Sequence, residues 1–91
     1  MNMRVTNRDV EIQVLEGVIQ HVDLINRDLT VLVRNGIALF DVPLNCKILL
    51  HGEAVKLRLL QPFDHVRLTS SLRNGIRTVE CIEAGPIPHP G

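Results

Sequence analysis

The stretch Leu60-Gln61-Pro62-Phe63-Asp64-His65-Val66 decides the reading of this chain. A leucine, a proline turn and an aspartate lead straight into a β-rich run, which is the connection of a small β-barrel rather than of an enzyme. The same theme recurs on both sides: short runs of Val, Ile, Leu and Thr, cut by Asn-Arg-Asp, Asn-Gly and His-Gly turn signals.

Downstream, His65 to Ser71 reads as a fifth strand, Arg73-Asn74-Gly75 as a tight turn and Ile76 to Ala84 as the last strand. Upstream, Glu53 to Leu60 is the one segment whose spacing suits a short helical turn, gathering Val55, Leu57 and Leu60 as a plug over one mouth of the barrel. A turn that short is held only by packing. Before it, Cys46 to Leu50 forms a short fourth strand with Cys46, Ile48 and Leu50 inward, closed by His51-Gly52. Pro43 cannot donate to a ladder and ends the third strand, Ile37 to Val42. Asn35-Gly36 tolerates the positive φ of a type I′ turn and joins that strand to the second, Leu29 to Arg34, in which Leu29, Val31 and Val33 share a face.

The first strand spans Val10 to Asp23 and opens with strict alternation, Val10, Ile12 and Val14 against Glu11 and Gln13, the period of a half-buried strand. Gly17 interrupts it, and between Ile19 and Val22 the apolar spacing slips from two to three, as a bulge or bend requires. A long, bent first strand is how a small barrel turns its corner. The expected fold is therefore all-β: a small six-stranded, mostly antiparallel OB-like or SH3-like barrel with one short helical turn between strands four and five. Residues 1–9 read as a flexible N-terminus, 10–84 as the single domain and 85–91, with three prolines in seven residues, as an extended tail. The expected core is Ile19, Val22, Leu29, Val31, Val33, Phe40, Val42, Ile48, Leu60, Val66, Leu68, Val79 and Ile82.

Ninety-one residues bury about 60–65% of the surface their unfolded chain exposes, which leaves little room for a deep catalytic cleft. Ten basic and ten acidic residues cancel, so no overall field draws nucleic acid or an anionic membrane. Cys46 and Cys81 lie 35 positions apart in no metal-type cluster and read as small buried hydrophobes, with a disulfide as the minority reading. No apolar run approaches the roughly 20 residues of a spanning helix, and the N-terminus lacks a signal-type apolar stretch. The chain is expected in the cytoplasm, or in the periplasm or outside if a signal peptide was removed, with no membrane partner.

The residues Gly17-Val18-Ile19 through Val22-Asp23, Leu29-Thr30-Val31, Phe40-Asp41-Val42, Ile48, Gly52, Leu60-x-Pro62-x-Asp64-x-Val66 and Asn74-Gly75 through Ile82 resemble small bacterial β-barrel domains of unknown function. Those look like OB-type barrels and, more distantly, like the periplasmic copper- and silver-efflux chaperones built on the same barrel. The resemblance covers about residues 16 to 84, rests on turn and core positions, and implies fold rather than function. Such domains usually carry glycine where this chain has Phe63. A type II turn would strain a phenylalanine there, so a different turn is expected, with Phe63 covering the barrel end. The chaperones hold soft metal with methionines, a histidine and a tryptophan; this chain has no Trp and only Met1 and Met3, so no copper site and no cofactor carries over.

His21, His51, His65 and His89 are scattered, with no pairing of metal-ligand type, and read as surface residues. Asp23, Asp28, Asp41 and Asp64 sit at turns, where aspartate bends the backbone. A cysteine paired with His65 lacks the pocket that nucleophilic catalysis needs, so no catalytic residue is assigned. Eight arginines against two lysines suit phosphate recognition, and Arg34, Arg67 and Arg77 are the candidate contacts for a single-stranded nucleic acid. Yet only Phe40 and Phe63 offer stacking, and Glu53, Glu80 and Glu83 interleave with the arginines. The stronger signal is surplus apolar surface: by simple alternation Leu15, Val18, Leu32, Leu49 and Leu72 fall on or near outward positions. Such a patch marks an interface. The sequence therefore reads as a non-enzymatic binding or assembly module that forms a homo-oligomer through an apolar face or sheet edge, with another protein as a further candidate partner. Nucleic-acid binding is the alternative, and metal binding ranks below both.

Overall fold

A computed structural model describes residues 10–85 of the chain, and the expected flexible N-terminus and all of the proline-rich tail beyond Gly85 lie outside it. The strands are β1 (Val10–Asp23), β2 (Asp28–Val33), β3 (Gly36–Asp41), β4 (Lys47–Leu50), β5 (Glu53–Ala54), β6 (His65–Arg73) and β7 (Ile76–Ala84), with a 3-10 turn at Leu57–Leu59. They form one sheet in the order β3-β2-β1-β6-β7-β4-β5, and a parallel pairing of Asp41 with Thr78 joins β3 to β7 and closes the ring. The fold is the expected small all-β barrel. It carries one strand more than the sequence suggests, because Glu53 and Ala54 extend beside Leu50 and Leu49 before the 3-10 turn begins. Leu57 and Leu60 are buried and Val55 packs against the core, so the plug is present.

β1 serves two sheets in succession. Val10 to Val18 pair with β6 and Val18 to Asp23 with β2, and the register shifts between Ile19 and His21, which turns both Ile19 and Val22 inward. Gly17 stands where the strand changes partners. A Cβ there would collide with the Leu32 carbonyl oxygen and lie 2.7 Å from Val31 Cγ1, so the glycine is required by the closeness of β2 rather than by the bulge, which falls after it. The core comprises Ile19, Leu29, Val31, Phe40, Val42, Ile48, Leu60, Val66, Leu68, Val79 and Ile82 with Leu57 and Ala84; Val22 and Val33 pack on it half-buried.

The two Asn-Gly turns differ. Asn74 (φ 54°) and Gly75 (φ 83°) both take the positive φ of a type I′ turn between Arg73 and Ile76. In the β2–β3 hairpin Val33 pairs with Gly36, so the two-residue turn is Arg34-Asn35 and only Gly36, at φ 137°, is positive. The type I′ turn expected at Asn35-Gly36 is therefore not formed: the register places the glycine inside the strand.

The first-strand alternation also resolves differently from its apparent phase. Leu15 pairs with the buried Leu68 and packs on the core, while Ile12 and Val14 point out. Gln13 turns inward at the barrel's open end, where its Oε1 accepts a 2.9 Å hydrogen bond from the Arg77 guanidinium. A polar group satisfied by a charged donor is stable there, and that reverses the phase read from apolar residues alone.

Candidate interaction surface

The outer face of β1–β2–β3 is built by register. In an antiparallel sheet, residues directly opposite one another project to one side. Ile19, Val31 and Ala38 form an inward row; the neighbouring Val18, Leu32 and Ile37 therefore form an outward row. Beside it runs a second, His21, Thr30 and Leu39, and then a third, Asp23, Asp28 and Asp41. Ile37 is 67% exposed and Leu39 62%; further along β1 Val14 and Ile12 are also exposed, separated from Val18 on this face by Glu16. Arg34 stands exposed at the hairpin tip beyond the apolar rows, opposite the aspartate end.

Of the five apolar residues singled out from the sequence, the structure brings two together here, Val18 and Leu32. Leu15 does not face outward but packs on the core. Leu72 lies on the same side of β6 as Leu68 and Ser70, half-buried at the hairpin end, so its expected outward placement is corrected as well. Leu49 is outward on a different part of the barrel, next to Glu83 and Ala54. Sequence reasoning missed Ile37 and Leu39, although Phe40 as a core residue already implies that its neighbour Leu39, and Ile37 two positions earlier, face away.

The three arginines do not converge. Arg34 is at the hairpin tip, whereas Arg67, on the outer face of β6, meets Glu16 at 3.2 Å and Glu83 at 4.0 Å. Arg77 turns inward, bonded to Gln13, with its guanidinium carbon 5.9 Å from the centre of the Phe40 ring. Both are engaged by groups of the barrel itself, in the pattern of a mixed-charge surface.

The thiols are free and half-buried. Cys46 lines a depression with Arg27, Leu44, Ile48, Val55, Lys56 and Leu57, where burial, reinforced by the nearby Cys81, pushes its thiol up to about 11. Burial likewise raises Cys81. The thiolate is the nucleophile and metal ligand, so at neutral pH Cys46 is poorly suited to either role. Among the described residues no group of three or more His, Cys, Asp and Glu side chains could hold a metal ion. Among the described residues no helix is long and apolar enough to cross a membrane.

Phe63 departs most from local preference. Pro62 and Phe63 occupy the centre of a turn closed by Asp64 N–H donating to Gln61 C=O at 3.1 Å, and Phe63 has φ 78°, the type II value. The different turn expected for a phenylalanine is therefore not adopted, and the ring, 80% exposed, does not cover the barrel end. The reason is the turn's other bonds: Phe63 N–H donates to Ile19 C=O at 2.8 Å, Ile19 N–H to Asp64 C=O at 2.9 Å, and Asp64 Oδ2 accepts from Gln61 N–H at 2.9 Å. Together they hold the turn on the kink of β1 whatever side chain it carries. Left-handed backbone strains a non-glycine residue by about 1–2 kcal/mol. Phe63→Gly is accordingly expected to stabilise the barrel by about 1 kcal/mol, after allowance for glycine's looser unfolded chain. Urea denaturation reads this as a higher midpoint at unchanged slope; an unchanged or lower midpoint would show that the exposed ring contributes contacts that outweigh the strain.

No family model matches the chain, and no curated protein matches it either. Among solved structures it is similar to CusF of Escherichia coli. The silver(I) form superposes with a TM-score of 0.69 at 12% identity, over 88% of this chain and 99% of that one. The apo form gives 0.68 at 11% identity, over 87% and 93%. Identity that low carries the barrel and nothing of the site, so the comparisons establish a fold like that of the CusF barrels.

Proposed function

We propose that this protein is a non-enzymatic binding and assembly module that associates with itself through the outer face of β1–β2–β3. The observation that carries the reading is the contiguity of Val18, Leu32, Ile37 and Leu39 on one face that none of the described residues covers. Contiguous exposed apolar surface on a small domain marks an interaction site. Metal binding, as in the silver(I) form of CusF, finds no support in this chain's described side chains. Single-stranded nucleic acid is served poorly, because Arg67 and Arg77 are engaged internally and Phe40, one of only two aromatic residues, is buried.

The test is light scattering after size exclusion at two concentrations, with and without a short oligonucleotide at low salt. Self-association that rises with concentration and ignores the oligonucleotide is expected. Leu32→Asp places a charge in the middle of the patch on an outward side chain that is 44% exposed, and should shift the protein to monomer by at least tenfold in dissociation constant while the barrel stays folded. An unaltered mass removes Leu32 from the interface. A monomer that binds the oligonucleotide, with affinity falling steeply with salt, transfers the function to the arginines.

A further inference from the structure

We infer that the occupant of this face is a second copy of the chain, laid face to face with its strands running the opposite way about a two-fold axis, so that Arg34 of each copy meets the aspartate row of the other. The inference rests on the self-association proposed above and adds its geometry. Three features of the face carry it.

The first is the charge layout. Along β2 and β3 the outward positions run from Leu32 and Ile37, through Thr30 and Leu39, to Asp28 and Asp41, and Arg34 stands exposed in the hairpin turn just beyond Leu32 and Ile37. The face is positive at one end, apolar in the middle and negative at the other. A pattern of that kind complements itself only when the second copy is reversed; laid the same way, arginine would meet arginine and aspartate aspartate.

The second is that the negative end is unfavourable in an isolated chain. Asp28 is directly opposite both Asp23 and Asp41, and like charges so placed destabilise a sheet. Asp23 is relieved in part by its own turn, where Ile25 and Asn26 N–H each donate to Oδ1 at 3.0 Å, and the Asn26 amide foremost holds its carboxyl below the usual value. Among the described residues the ion pairs are those of Arg67, far from this row in register; Arg27, which shares a depression with Asp41, gives its guanidinium to the Val42 and Pro43 carbonyls, and no ion pair among the described residues reaches Asp28 or Asp41.

The third is symmetry. An isologous interface uses the same patch twice, so each copy contributes one arginine and one aspartate row, and each row of three carboxylates gains one cation at the same time. Two sheets stacked face to face keep their strands within about 30° of each other, which brings the rows of one copy along those of the other with Leu32, Ile37 and Leu39 between them. The apolar centre is modest, so the association is expected to be reversible and dependent on salt as well as on concentration.

Charge reversal separates this geometry from the general reading. Sedimentation equilibrium is run on the full chain and on Arg34→Asp, Asp41→Arg and the double variant carrying both; both positions of change are exposed, and circular dichroism melts verify folding. Each single reversal should weaken the dimer at least tenfold and the double variant should recover most of the loss, because the reversed pair meets again across the two-fold axis. Oligomers insensitive to both single reversals overturn the antiparallel geometry while leaving self-association standing. Single losses without recovery in the double variant also overturn it, since the two residues then do not face each other. A chain monomeric at every concentration and at low salt overturns both this inference and the reading beneath it.

Discussion

Gly17→Ala is expected to lower the stability of this barrel by about 3 kcal/mol, an unusually large effect for one methyl group on a half-buried position. Small domains are stable by about 5–15 kcal/mol, so the change removes a large share of the whole. The magnitude follows from what the methyl would strike. The obstacle is the Leu32 backbone carbonyl, with Val31 Cγ1 at 2.7 Å, and neither is the free end of a flexible side chain. Relief requires β2 to move away from β1 at Val18–Leu32, the first pair of their ladder. Gly75→Ala supplies the contrast: nothing lies within 4 Å of its Cβ, and only its φ of 83° opposes the change, for about 1 kcal/mol. Urea denaturation of both variants decides the matter. A Gly17→Ala loss no greater than that of Gly75→Ala would mean that the two strands separate without penalty. Because Val18 and Leu32 also belong to the outer apolar row, Gly17→Ala should disturb the proposed self-association even under conditions where the barrel stays folded.

Most of the barrel is legible in the residues because period-two alternation and turn chemistry are local. β1 and β7 begin and end where their apolar runs do, and Phe40, Leu68 and Ile82 are buried as their spacing demands. The misreadings cluster where a distant partner decides. The phase of Val10 to Leu15 depends on Arg77, which reaches Gln13 from 64 residues away and makes an inward glutamine acceptable. The turn at Phe63 depends on the hydrogen bonds that the kink of β1 offers at Ile19, and those override the preference of phenylalanine for negative φ. The candidate surface was half visible. Leu32 follows from Val31 by alternation, but its union with Val18 on one side and Ile37 on the other is a matter of register between strands, which no single run contains. The same holds for Asp23, Asp28 and Asp41: each reads as a turn residue by itself, and only the pairing of three strands makes them a row.

Phe40→Ala should be the most damaging single substitution in the core, with an expected loss of about 3–5 kcal/mol. Phe40 is fully buried, is the largest of the wholly enclosed side chains, and pairs across the barrel wall with Leu29, itself at zero exposure. Its removal leaves a cavity that strands tied into a closed ring cannot collapse to fill. A second, smaller loss comes from Arg77, whose guanidinium lies 5.9 Å from the ring centre; such contacts are worth about 0.5–1 kcal/mol. Phe40→Leu separates the two, since it keeps most of the volume and forfeits the ring's charge distribution, and should cost about 1–2 kcal/mol. A double-mutant cycle with Arg77→Gln is expected to show positive coupling. A Phe40→Ala loss below about 2 kcal/mol would mean that the barrel relaxes around the gap. The consequence reaches the outer surface, because Leu39 and Asp41 flank Phe40 on β3 and take their outward direction from its inward one. A β3 loosened by the cavity would present both less firmly, so Phe40→Leu should weaken the proposed self-association as well as stability, whereas Val79→Ala, a core change on a strand outside the β1–β2–β3 face, should reduce stability alone.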